Sequence, residues 1–143
     1  MPFPPKTFDS YYRELANDDA DHEALLAAMR SPLPTAFRSA GDAAAVDATS
    51  AELRHRFESV PQLQPLGWHS DAWKLVCSRQ ELRSSEQLAS LHRWLVTRHE
   101  AGAVRRQEEA SMLAVALRGA QPGERIGDMC ASPGSKSSEL ADQ

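Results

Sequence analysis

Apolar residues recur at helical spacing near the start of the chain: Phe8, Tyr11, Tyr12 and Leu15, then Leu25, Leu26 and Met29 after the polar break Asn17-Asp18-Asp19. The spacing predicts two helices within residues 8–30, the second capped by Asp21, with the tyrosine pair turned into a core. Ser31-Pro32-Leu33-Pro34 ends that pattern, because each proline lacks a donor and disfavours helix at the residue before it. Thr35–Arg38 then reads as a short strand. Gly41–Ala48 is rich in alanine and ambiguous. Thr49 and Glu52 have capping-box spacing, Leu53 and Phe57 give the helix after them one apolar face, and Val60-Pro61 ends it. Between Gln62 and Ser78 the pattern is strand-like in two places, Leu63-Leu66-Trp68 and Trp73-Leu75-Val76, with Pro65 and Gly67 as breaks. Trp68 and Trp73 are expected in the core, each indole N–H with a partner.

The clearest helix follows. Leu88, Leu91 and Leu95 recur with Trp94 beside them, Ser84 and Gln87 have capping-box spacing, and Gly102 suits the position after the last turn. A further helix is predicted over Gln107–Leu117, its apolar residues Met112, Leu113, Ala116 and Leu117, with Gly119 behind it. Gln121-Pro122-Gly123-Glu124 places Pro and Gly as a type II turn requires. The turn leads into Arg125-Ile126-Gly127-Asp128-Met129, read as a short buried strand with Ile126 and Met129 as its apolar residues. Pro133 and Gly134 then bend the chain into a helix through Leu140, with Ser135 as its cap. A strand–loop–helix unit of this kind is a common place for a nucleotide-like ligand, since free backbone N–H groups face the crevice.

Composition narrows the classes. The chain has 143 residues, 41% apolar and 25% charged, enough for one domain with a real core. It has no apolar run of membrane-spanning length, and its opening Met-Pro-Phe-Pro-Pro-Lys lacks a signal-peptide apolar region. Cys77 and Cys130 form neither a disulfide framework nor a metal-ligand spacing, which makes a reducing cytosol or nucleus the default. A net charge of −4 argues against a generally basic nucleic-acid binder. The charge is uneven, however: residues 51–125 carry 11 basic and 9 acidic side chains, while residues 1–50 carry 4 and 8. Any RNA contact therefore needs a local patch in the arginine-rich middle, most of whose arginines are expected to be plain solvated surface.

The loop itself admits three readings. A Walker A phosphate loop needs Gly, four residues, then Gly-Lys-Ser/Thr; here Ser135 separates Gly134 from Lys136, and the upstream glycine is absent. By pattern alone the stretch is equally a plain strand–turn–helix. The third reading rests on resemblance. Asp128-Met129-Cys130-Ala131-Ser132-Pro133-Gly134-Ser135-Lys136 resembles the S-adenosyl-L-methionine-binding motif of the RsmB/Nop/Sun family of RNA cytosine-5 methyltransferases, Asp-hydrophobic-Cys-Ala-Ala-Pro-Gly-x-Lys-Thr. Phe8–Leu15, Leu33-Pro34-Thr35-Ala36-Phe37-Arg38, Pro61–Trp68 and the Gly102–Glu108 run with Ser111-Met112 resemble the eukaryotic tRNA-modifying branch. Two departures stand out: Gly127 replaces the usual Leu before Asp128, and Ser132 replaces Ala.

The resemblance implies an α+β N-terminal accessory region over residues 1–101 that helps hold RNA. It implies that residues 102–143 open a Rossmann-like α/β methyltransferase domain with its first strand–loop–helix. Cys130, Ala131, Ser132, Pro133, Gly134, Ser135 and Lys136 would contact the cofactor S-adenosyl-L-methionine, and the substrate would be RNA, in particular tRNA. The family's chemistry adds a cysteine thiolate to cytosine C6, which turns C5 into the carbon that takes the methyl group. Neither catalytic cysteine is expected within this chain, so it is expected to be inactive alone and to bind the cofactor weakly; no metal or membrane is implied. The nucleus or nucleolus is the expected location, with the cytoplasm as the alternative. The competing reading is a non-catalytic RNA-binding or regulatory module derived from the same family.

Overall fold

A computed structural model describes residues 7–121 and 123–142. The chain divides into two compact units, Met1–Leu33 and Pro34–Gln143. The first holds α1 (Phe8–Leu15) and α2 (Asp19–Arg30). Thr7 caps α1 by accepting the Ser10 N–H. The cap of α2 is Asp18, not Asp21: its extended backbone and carboxylate meet the Asp21 N–H at 2.8 Å. Asp21 lies in the first turn and reaches back to the Asn17 backbone at 3.1 Å, so the two acids divide the capping between them. The tyrosine pair is not in a core. Phe8, Tyr11, Tyr12 and Leu15 are all exposed, and the three rings pack on one another along the helix surface, since so short a helix shields little area of its own.

The second unit is built on a four-stranded antiparallel sheet of order β2-β3-β1-β4: β1 (Thr35–Ser39), β2 (Leu63–Pro65), β3 (Ala72–Leu75) and β4 (Val104–Arg106). The central strand β1 pairs Phe37 with Trp73 on one side and with Arg106 on the other. Period-2 alternation sends Phe37 and Ser39 to one face and Ala36 and Arg38 to the opposite one. The Phe37 face carries the large core of Phe37, Leu53, Phe57, Trp73, Leu75, Leu91, Trp94 and Leu95 under α3 (Ala43–Phe57) and α5 (Ala89–Glu100). The other face has only Ala36, Leu66, Ala72 and Met112 as its apolar cluster. Met112 comes from α6 (Glu109–Arg118), and α7 (Ser135–Ala141) packs against α6.

Several local expectations are corrected. Thr49 and Glu52 lie inside α3, whose cap is Asp42, because the alanines after Asp42 propagate helix well. Ser84 and Gln87 form no capping box; Ser78 and Glu81 do, on the short α4 (Arg79–Ser84) that the pattern did not reveal. A 3₁₀ turn, Glu86–Leu88, then leads into α5. Trp68 is exposed and Trp73 buried. On α6 the buried side chains are Met112 and Val115, whereas Leu113 and Leu117 face solvent. Glu124 N–H donates to the Gln121 carbonyl at 3.1 Å across the expected turn, whose Pro122 lies outside the described residues.

The largest correction is at Ile126–Met129, where no strand forms; Ile126 is exposed and Met129 fully so. A strand is completed by the backbone of a neighbour, and among the described residues this segment pairs with none. Gly127 adds no side chain that burial could hold.

Candidate functional site

Asp128 organises the loop before α7. One carboxylate oxygen accepts the Cys130 N–H at 3.0 Å and the other the Ser137 hydroxyl at 2.6 Å, so a single acid clamps both ends of the bend. The Ser137 hydroxyl bond, with the Cys130 N–H and the nearby Lys136 charge behind it, holds the Asp128 carboxyl below its ordinary range. Gly134, not Ser135, caps α7. Its φ of 105° is left-handed, the Ser138 N–H donates to its carbonyl at 2.9 Å, and a Cβ there would meet nothing nearer than the Ala131 carbonyl at 3.9 Å. Cys130, Ala131, Ser132, Pro133 and Lys136 are exposed, and Gly134 and Ser135 are half-buried. Lys136 makes no salt bridge among the described residues. The seven residues therefore form one open wall whose donors are backbone N–H groups, the Ser132 and Ser135 hydroxyls and one ammonium. That donor set fits a ligand with an anionic end, such as the methionine carboxylate of S-adenosyl-L-methionine.

Behind the wall lies a polar network that sequence pattern alone does not reveal. Glu139 of α7 is 2% exposed. It accepts the Gln107 side-chain N–H and lies 3.3 Å from His69 Nε2. His69 Nδ1 accepts the Asp71 N–H, so the imidazole proton is on Nε2 and points at Glu139. Gln107 in turn accepts Arg38 Nε at 3.0 Å. A cation on one side and a carboxylate on the other fix its amide orientation. Arg38 is 3% exposed and also forms an ion pair with Asp142 at 2.7 Å, at an angle that makes no hydrogen bond. Strand β1, the Gln107 turn, the 69–71 loop and the C-terminal half of α7 are thus linked through buried and half-buried polar groups. Two of them carry a sequence signal: Arg38 and Gln107 fall within the segments that carry the resemblance, without a role attached.

The Cys77 thiol is not activated. Cys77 packs beside the main core, where burial, helped by the Glu81 charge, pushes its thiol up. Cys130 is exposed on the loop. Among the described residues no cluster of three or more His, Cys, Asp or Glu could hold a metal ion, and no helix is long and apolar enough to cross a membrane.

No family model matches the chain. Individual proteins do. A multisite-specific tRNA:(cytosine-C(5))-methyltransferase of Schizosaccharomyces pombe is 33% identical over 94% of this chain and 22% of its own length. A tRNA (cytosine(34)-C(5))-methyltransferase of Drosophila melanogaster is 32% identical over 93% of this chain and 20% of its own. A multisite-specific tRNA:(cytosine-C(5))-methyltransferase of Saccharomyces cerevisiae is 29% identical over 93% and 22%. The chain spans about a fifth of the length of the curated relatives it matches.

Proposed function

We propose that this chain, by homology a member of the RsmB/Nop/Sun family of RNA cytosine-5 methyltransferases, supplies the donor-side loop and part of the RNA-holding surface of a tRNA methyltransferase. The observation that carries the proposal is the Asp128–Lys136 bend, set on α7 and held by Glu139 against the sheet. Cys130–Lys136 are the cofactor-contacting residues in this reading. S-adenosyl-L-methionine, when bound, supplies the methyl group.

The chain's own part is positional. Asp128 fixes the bend through Cys130 and Ser137, and Gly134 supplies the left-handed φ at the entry to α7 that a side chain would strain. Lys136 offers a cation to the ligand's anionic end. Residues 102–143 are the opening of a Rossmann-like domain in this reading, with Arg125–Met129 becoming a strand once parallel neighbours are present. Residues 1–101 are the accessory region. That assignment leaves β4 paired with β1 across the boundary, so the two parts share one sheet.

The test is a chimera in which this chain replaces the matching stretch of the Schizosaccharomyces pombe relative. Methyl transfer to tRNA is expected to persist. Gly134→Val and Lys136→Glu in the chimera are each expected to lower it by roughly a hundredfold, the scale of a misplaced binding element. A folded chimera without activity, or one indifferent to both substitutions, would sink the assignment.

A further inference from the structure

One face of α5 and one face of α3 enclose a cleft of about 300 Å³. From α5 come Ser90, Arg93, Trp94, Thr97 and Arg98, at i, i+3, i+4, i+7 and i+8; from α3 come Glu52 and Arg56, four apart. Three guanidinium groups thus face one carboxylate, a local excess of positive charge on a chain whose net charge is −4.

Glu52 does not cancel the cleft so much as build it. Its Oε1 accepts the Trp94 indole N–H at 2.8 Å, its Oε2 holds Arg98, and Arg56 lies 3.5 Å away. Partial burial opposes its ionisation, but the Trp94 and Arg98 bonds and the Arg56 charge outweigh it, so its carboxyl stays below its ordinary range. Arg98 also lies over the Trp94 ring, 5.9 Å from its centroid. Two of the arginines are therefore held in place. Arg93 is exposed and has no acidic partner among the described residues. The hydroxyls of Ser90 and Thr97 are exposed on the same helix face.

We infer that this cleft binds the phosphodiester backbone of RNA, with Arg93 and Arg98 as the principal phosphate contacts and Arg56 at the rim. The guanidinium fork matches phosphate oxygens, and hydroxyl donors at the same spacing suit successive phosphates. The inference rests on the reading of this chain as part of an RNA methyltransferase, and it names where the RNA is held. Among the described residues no acid other than Glu52 lines the cleft, so a polyanion meets little repulsion there.

The test is fluorescence anisotropy of a fluorescein-labelled, unmodified tRNA transcript with the full chain over a series of KCl concentrations. Arg93→Glu, at an exposed helical position with no partner to lose, is expected to weaken binding about tenfold and to flatten the salt slope by about one. Arg118→Glu, on α6 across the sheet, is the charge-matched control and is expected to change affinity less than about twofold. Circular dichroism melts of both variants separate lost binding from lost folding. Equal loss in the two variants, or no tRNA binding by the folded wild-type chain, would overturn the cleft. A labelled poly-glutamate peptide that bound as tightly as the tRNA, and lost as much in Arg93→Glu, would overturn it in favour of an acidic protein partner. No methyl donor is present in this assay, so its failure leaves the loop assignment to the chimera, and failure of the chimera leaves the cleft standing.

Discussion

The two faces of the sheet are built by different physics. Against the Phe37 face, α3 and α5 bury large apolar side chains, with the Phe37 and Trp73 rings stacked at 5.8 Å. Against the Ala36 face the apolar cluster is small, and α7, packed on α6, is tied to the sheet by the Arg38–Gln107–Glu139–His69 network. Apolar burial is strong and undirected, whereas a buried polar network contributes little net stability and accepts few geometries. The first face therefore keeps the unit folded. The second aims the one helix whose preceding loop is proposed to meet the cofactor.

The sharpest way to break this comparison is to truncate the first face. Phe37→Ala is expected to cost about 3–5 kcal/mol, as for a fully buried ring in a closed core. Urea unfolding should show a single transition moved to lower denaturant, with every probe lost together. A loss restricted to α7 would mean that the core does not lie where we place it.

Arg38→Met should do the reverse. It keeps most of the side-chain volume, removes the donor to Gln107 and leaves Asp142 unpaired. Asp142 is 24% exposed, which moderates the penalty to about 2 kcal/mol. Hydrogen exchange should quicken at the α7 amides while those of β1 and β3 keep their protection. Uniform quickening would show that the network serves global stability and not the placement of α7.

The same division explains what could be read from the sequence. The Phe37 face was legible because apolar periodicity reports apolar burial: the α5 stripe Leu91-Trp94-Leu95, the strand at 35–38 and the strand-like residues around Leu63 and Trp73 all appear where expected. The polar face was not. Arg38, Gln107 and Glu139 look like surface residues in any hydropathy pattern, and only the fold brings positions so far apart in sequence together. Val104–Arg106 is too short and too charged to read as a strand, and it becomes one because β1 offers an open edge. Ile126–Met129 erred in the opposite direction. Ile126 and Met129 suit a strand, but Gly127 and Asp128 disfavour one, and a strand exists only with a neighbour. For the site, the loop was legible as a motif, while the side chains that hold it were legible only as parts of resembling segments.

The gentlest probe of the polar face is the clamp at Asp128. Its carboxyl is held below the ordinary 3.8 because the ionised form accepts the Ser137 hydroxyl and the Cys130 N–H. A depressed carboxyl pKa stabilises the clamped bend at every pH above the ordinary value and loses that contribution as pH falls through the depressed one. The Cys130 amide resonance should therefore titrate with a midpoint below 3.8, over a range where the amides of β1 and β3 still hold their positions. Asp128→Asn keeps an acceptor but removes the titration, so the Cys130 shift should become flat. Because the clamp lies at the surface, the effect should be confined to residues 128–137 and leave the urea midpoint of the unit unchanged. A Cys130 midpoint at or above 3.8 would show that the bend is held by something other than this carboxylate. The loop would then be set by α7 alone, and the polar face would reduce to the network behind it.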